Sequence, residues 1–382
     1  MVKFYRLVLV LLIVLVVSDL GYSQGRDLPV NLSLVYPVSI NQSKQDNVNF
    51  NLGIIGSQFN NLRGIGINGL YSVLAGDLNG LQVNGLYAET RNKLKGIQLT
   101  GGLNVVTKGG NGAMIGGLAN MTFDDFTGFQ FSSIANFGFE NVSGVQTSLL
   151  YNLVGKNINV LQVATAGNVA GHIMSGAQLS LLFNLAGNTS KGIQISSINL
   201  TKFQKGAQLG FVNIAEDNEG FQLGIFNLVD KKQNGLSLGL FYVGEKSKVQ
   251  MLLSGGNITY GKIGFRFKTN NIYTMFGLGG PVSISSSNKS ALAEYRAGYS
   301  FDLKFLNVNT DIGFMFISNE KDQTPGKSSS NQYGFSFRAG LEKNIFKKFG
   351  LFVNAGIIRS SDSFKDPVFK NNFLFEGGIV IL

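Results

Sequence analysis

The sequence predicts an all-β fold: an antiparallel transmembrane β-barrel of about 18–22 strands, built largely from repeats of 14–16 residues. Three observations predict it. A glycine recurs every 16 residues through the first half of the chain. The residues around it alternate apolar and polar with a period of two, as a strand with two different faces requires. After residue 24, no segment reaches the roughly 20 consecutive apolar residues that a membrane-spanning helix needs. A span by this chain therefore has to be a closed barrel.

The first element is an export signal. Lys3 and Arg6 precede the apolar run Leu7 to Val17, and Ser18 to Gln24 supply the small and polar residues of a cleavage region. Residues 1–23 are read as a signal peptide, with cleavage near Ser23-Gln24. Residues 24–382 are read as a single β-barrel domain, with a repeat region at 48–260 and a C-terminal hairpin region at 261–382. The chain has no Cys, so neither a lipid-modified N-terminal Cys nor a disulfide is available to it.

Composition points the same way. Only 14% of residues are charged, against about 25% in soluble domains. There are 50 Gly, 5 Pro and 31 Phe. The formal charge of +10 suits anionic partners, here outer-membrane lipid and lipopolysaccharide. Nucleic acid is set aside, because no basic run is interleaved with aromatics. The expected location is the outer membrane, where the barrel-assembly machinery is a further expected partner.

The repeat region comes next. Gly stands at 64, 80, 96, 112, 128 and 144; the register continues through Val160, Gly176 and Gly192 and tightens at Gly206, Gly220 and Gly235. The unit reads Gly, apolar, Gln, apolar, small residues, apolar, Asn, as in Gly96-Ile97-Gln98-Leu99-Thr100-Gly101-Gly102-Leu103-Asn104. Read as a strand, one face is apolar and often aromatic, with Leu81, Val83, Ile97, Leu99, Phe129 and Phe131. The other is neutral and polar. Its members are the lumen-facing candidates Gln82, Gln98, Gln130, Gln146, Gln162, Gln178, Gln194, Gln208 and Gln222, with Asn104, Asn120, Asn136, Asn152 and Asn184. Leu86, Leu118, Leu150 and Leu182 fall on this otherwise polar face and count against an open aqueous channel.

From about residue 270 the repeat fades and alternation continues. Strands are expected at 271–282, 292–303, 306–317, 332–342, 350–359 and 372–382. Their connections alternate between long polar ones, 283–291, 318–331 and 360–371, and short ones, 304–305 and 343–349. Short turns on one side and long loops on the other are the habit of outer-membrane barrels and put Leu382 at the periplasmic end.

A parallel β-solenoid is the alternative fold, with Gln and Asn stacked as ladders from coil to coil. Shortening the unit from 16 to 14 residues would disturb stacked coils but only trims a hairpin turn, so it favours the barrel, as does the alternation of loop lengths.

Catalytic chemistry is thin. His172 is the only His and lies in a connection, with no second His for a metal pair. Acidic pairs such as Asp124-Asp125 lack the full spacing of a calcium loop. The Gly-rich string Gly109–Gly112 lacks the Gly-Lys-Ser/Thr ending of a phosphate loop. No catalytic residue, metal or cofactor is expected, and the chain is not read as an enzyme. The segments Val35-Tyr36-Pro37-Val38 and Asn47–Gly53, with units such as Gly206-Ala207-Gln208-Leu209-Gly210-Phe211-Val212-Asn213, resemble a group of uncharacterised exported bacterial surface and outer-membrane proteins with the same tandem unit. The resemblance covers roughly residues 30–260. It implies an outer-membrane or surface location and transfers no ligand or catalytic residue. The function expected is a passive channel of unknown solute or a structural envelope barrel; the alternative is a surface-exposed solenoid acting in binding or adhesion.

Overall fold

The computed structural model describes residues 25–244, 247–282, 290–319, 332–360 and 373–381. The signal-peptide assignment lies outside them. The described residues are all-β, without a helix. The chain divides into two compact units, Met1–Gly210 and Phe211–Leu382.

In the first unit each repeat is one coil of a parallel β-solenoid. A coil has a long strand of seven residues, such as Leu94–Thr100, and a short strand of four, such as Leu103–Val106. Two tight turns join them. Each strand pairs in parallel with its counterpart one coil away. Gly96, Gly112, Gly128 and Gly144 lie side by side, and so do Asn104, Asn120, Asn136 and Asn152. The predicted antiparallel barrel of 18–22 strands is therefore corrected over the repeats, and the alternative solenoid is what forms. The two-faced alternation holds, but one repeat is a coil of two strands and two turns, not one strand and a hairpin turn.

Coil length is also less rigid than expected. Gln178 and Gln194 pair at a separation of 16, and Gln194 and Gln208 at 14. One residue is lost at the preceding turn, since Asn184 and Asn199 pair at a separation of 15, and the register shift between Ala186 and Thr189 absorbs the second.

The recurrent glycine has a steric cause. Gly80, Gly96, Gly112, Gly128, Gly144 and Gly176 have φ between +129° and +152°. A Cβ on Gly128 would fall 2.0 Å from the carbonyl oxygen of Gly112. Val160 occupies the same column at φ 117°, a strained conformation for a β-branched residue.

The solenoid begins at a cap. The Asp46 carboxylate, buried from solvent, accepts from the backbone N–H of Arg26 at 2.9 Å and of Gln42 at 3.1 Å. The Arg26 guanidinium adds a donor at 3.2 Å. Burial alone would raise this carboxyl, but these donors and the Arg26 charge outweigh it and hold it below its ordinary value.

In the second unit the strands Phe221–Gln233 and Leu236–Gly244 pair in parallel as coils do. Eight antiparallel strands then close a small barrel: Ser247–Gly256, Lys262–Thr269, Ile272–Gly279, Ser290–Asp302, Asn307–Asn319, Gln332–Phe346, Phe349–Ser360 and Phe373–Ile381. All six strands expected in this region form. The turns 270–271, 303–306 and 347–348 lie at one end, and the strand ends Gly256, Lys262, Gly279, Ser290, Asn319, Gln332, Ser360 and Phe373 at the other. Part of the outer wall is covered by the neighbouring coil: Phe241 meets Phe267 edge-on at 5.3 Å, and Tyr295 donates to the Gly239 carbonyl at 3.1 Å.

Val160→Gly is expected to raise the unfolding midpoint, since roughly 1–3 kcal/mol of backbone strain exceeds the roughly 0.5–1 kcal/mol entropic cost of a glycine. Gly128→Ala is expected to lower it by more than the neighbouring exposed Thr127→Ala; equal midpoints for the two would refute the close approach. For Asp46 the folded value is the lower one, so its stabilisation is present above about pH 4 and is lost as pH falls through the folded value. Hydrogen exchange at Gln42 and Ser43 should accelerate in that window, and Asp46→Asn should abolish the pH dependence.

Candidate functional site

The solenoid interior has two halves. Beside one turn it is apolar, with Leu62, Leu78, Leu94 and Phe126 stacked along the axis, continued by Val142, Ile158 and Met174. Beside the other turn it is amide. All fourteen lumen-facing candidates are fully buried there: Gln82, Gln98, Gln130, Gln146, Gln162, Gln178, Gln194, Gln208, Gln222, Asn104, Asn120, Asn136, Asn152 and Asn184. They face no lumen, because the two sheets of each coil close on one another.

A primary amide carries both donors and an acceptor, so identical amides can bond in series. Asn104 donates to Asn120, Asn120 to Asn136 and Asn136 to Asn152, each at 2.8 Å. The series continues to Asn168 at 2.9 Å and Asn184 at 3.0 Å. The same amides also donate to carbonyls at the ends of long strands: Asn120 to Phe131 at 2.7 Å and Asn152 to Val163 at 2.7 Å. The Gln column runs in the opposite sense. Gln208 donates to Gln194 at 2.9 Å, and Gln194 to Gln178, Gln178 to Gln162 and Gln162 to Gln146 at 2.8 Å each. Gln146 ends the run on Gln130 at 2.6 Å. Beyond it stands Met114, whose sulfur lies 3.6 Å from the Gln130 amide. Gln98 turns to the Ala88 carbonyl, Gln82 to the Ser72 hydroxyl, and Gln222 accepts from Ser237 at 2.7 Å.

Leu86, Leu118, Leu150 and Leu182 are not on the polar face. They sit in the turn between long and short strands, and all four are exposed. The strict period of two carried across that turn put them on the wrong side. His172 lies exposed in the opposite turn, where its backbone N–H donates to Lys156. Among the described residues no group of His, Asp and Glu is arranged to hold a metal ion.

The small barrel has a different interior. Lys262, Arg266, Arg296 and Arg338 point inward with Asp311, Glu294, Glu342 and Glu376, and all eight are buried. Lys262 lies 2.6 Å from Glu294 and 2.7 Å from Glu376. Arg338 meets Glu294 at 2.8 Å, and Arg266 grips both oxygens of Glu342 at 2.7 and 2.9 Å. Arg296 reaches Glu294 at 3.1 Å and Glu376 at 3.4 Å. Four cations thus face four carboxylates. Removing one partner from such a set costs on the order of 3–5 kcal/mol, because a buried charge is left uncompensated. A cavity between Arg266, Arg296, Asp311 and Glu342 has a volume of about 10 Å³, roughly room for one water. A wider basin of about 880 Å³ opens at the short-turn end, lined by Lys248, Lys268, Lys347, Asp302 and Glu342. The signal for the inward set is legible as charges of one strand face, Glu294 with Arg296 and Arg338 with Glu342, alternating with outward Phe, Tyr and Leu.

No family model matches the chain, and no curated protein matches it. The crystal structure of the N-terminal β-barrel domain of Pseudomonas aeruginosa OprF is similar over 35% of this chain and 93% of that chain, at 11% identity and a TM-score of 0.26. A likeness at that score carries no functional inference.

The amide ladder makes a reciprocal prediction. Asn152→Leu strands the Asn136 donor and the Val163 carbonyl, at about 1–3 kcal/mol for each buried group left unpaired. Met114→Gln gives Gln130 an acceptor and is expected to raise the unfolding midpoint. If Asn152→Leu shifts stability no more than a surface change, within about 0.5 kcal/mol, the ladder is not what holds the coils.

Proposed function

We propose that the chain is a non-catalytic envelope protein in which the eight-stranded barrel is embedded in the outer membrane as an anchor, and the solenoid is a structural or binding module. The observation that carries this is the inverted polarity of the barrel. Its interior holds the buried charge network, while Ile263, Phe265, Ile312, Phe314, Phe335 and Phe337 stand exposed on its outer wall. Apolar-out, polar-in alternation on a closed antiparallel sheet is the pattern of a lipid-embedded barrel. The closed ladder leaves no strand edge in the hydrocarbon. The chain enters at Ser247 and leaves at Ile381 at the same, short-turn end, the periplasmic end in such barrels.

A channel is the weaker reading. The ion pairs cross the interior, and the cavities beside Arg296 and beside Arg338 each measure about 10 Å³, room for about one water and not for a file of them. The solenoid supports a scaffold or adhesion role, since its amides are spent on one another and its outer surface is what a partner would meet.

The test is fractionation of cells expressing the full chain, followed by gel electrophoresis of the detergent extract with and without boiling. The protein should partition with outer membranes, migrate faster unboiled, and stay silent in planar bilayers. Recovery as a soluble species overturns the anchor; steady conductance steps overturn the filled interior.

A further inference from the structure

The solenoid's two turns differ in a way that neither the amide ladder nor the anchor explains. Every charged residue between Ser57 and Gln204 lies at or near one turn, as with Asp77, Lys93, Lys108, Asp124, Glu140 and Lys156. The other turn carries none. It presents a ridge of apolar side chains, including Ile54 at 70% exposure, Leu86 at 59%, Leu118 at 53%, Leu150 at 43% and Leu182 at 57%. At about 4.8 Å per coil, this ridge from Ile54 to Leu182 is roughly 40 Å long.

The interior beneath the two turns is opposite in kind. Under the charged turn lie Leu78, Leu94 and Phe126: apolar inside, charged outside, the ordinary arrangement for water. Under the apolar turn lie Asn104, Asn120, Asn136 and Asn152: polar inside, apolar outside. That inversion matches the barrel wall and is what a hydrocarbon solvent selects. The backbone there is self-sufficient. Leu86 N–H donates to the Leu70 carbonyl at 2.8 Å, Leu118 to Gly102 at 3.0 Å and Ile134 to Leu118 at 2.9 Å. Polar side chains on this edge are sparse, with Thr165 exposed and Ser133 and Ser197 half-buried, a thin rim for a protein partner; lipid tails require none.

We propose that the apolar edge of the solenoid is itself immersed in the bilayer, with the charged turn held at the aqueous side, so that the repeats lie in one leaflet as a monotopic rib. The occupant of the edge is lipid acyl chain. The inference rests on the anchor reading, and its test separates the two.

The chain has no native Cys, so single labels are clean. Leu118→Cys, Leu150→Cys, Lys108→Cys, Lys156→Cys and Phe335→Cys, each in the full chain, are labelled with an environment-sensitive fluorophore. They are reconstituted in phosphatidylethanolamine–phosphatidylglycerol vesicles with and without doxyl-labelled lipid. Positions 118, 150 and 335 should emit to the blue and lose emission to doxyl lipid; 108 and 156 should instead lose emission to aqueous iodide. Iodide quenching at 118 and 150, with doxyl quenching retained at 335, overturns the immersed edge and leaves the anchor standing. Loss of doxyl quenching at 335 as well overturns both. Protection of 118 and 150 from both quenchers, with energy transfer between labelled copies, overturns lipid in favour of a second copy of the chain.

Discussion

A coil of 16 residues encloses a space only one side chain deep, between two sheets that face each other about 10 Å apart. That space dictates the rest. There is no room for a layered hydrophobic core, so each interior position must be satisfied by the same position one coil away. Apolar residues manage this by contact, as Leu62, Leu78 and Leu94 do. Amides manage it by direction along the middle of the stack, where Asn120, Asn136 and Asn152 each donate to one neighbour and accept from the other. The glycine column serves the same constraint, because at Gly128 a side chain would collide with the backbone of the coil before it.

With neutral amides inside, the outer surface need not be polar, and over half the coil it is not. The solenoid and the small barrel share this inversion by different means. In the solenoid the buried polar groups are uncharged and bonded along the axis; in the barrel they are Lys, Arg, Glu and Asp paired across the interior. Both leave backbone groups satisfied within the sheet and side chains such as Phe129, Leu118 and Phe335 facing outward. Lipid contact is therefore proposed for both on one physical ground.

Much of this was legible in the sequence. The period, the two-faced alternation, the Gln and Asn columns and the six C-terminal strands were all readable, because each is a local pattern. The partner of each strand was not. Alternation around Gln98 is identical whether its neighbour runs parallel or antiparallel, and the shorter unit at Gly206 speaks against stacking only if coil length is fixed, whereas turns can lose residues without moving Gln194 from Gln208. Two clues pointed to the solenoid. Antiparallel neighbours have no need of Asn beside Asn at every step, whereas in-register stacking does. Charges confined to one turn in each 16 residues also fit a coil with two unlike ends. The ion-pair set of the barrel was hidden for another reason: Lys262, Glu294, Arg338 and Glu376 are far apart in sequence, and only barrel closure brings them together.

The in-register stack is tested most directly by distances between spin labels on the outward-facing column Asn79, Lys95, Asn111, Thr127, Ser143, Asn159 and Ser175. At about 4.8 Å per coil, labels at 79 and 143 should lie roughly 19 Å apart and labels at 79 and 175 roughly 29 Å apart, with intermediate pairs on the same line. Separations that fail to grow in proportion to the number of coils would contradict the stacking on which everything else depends.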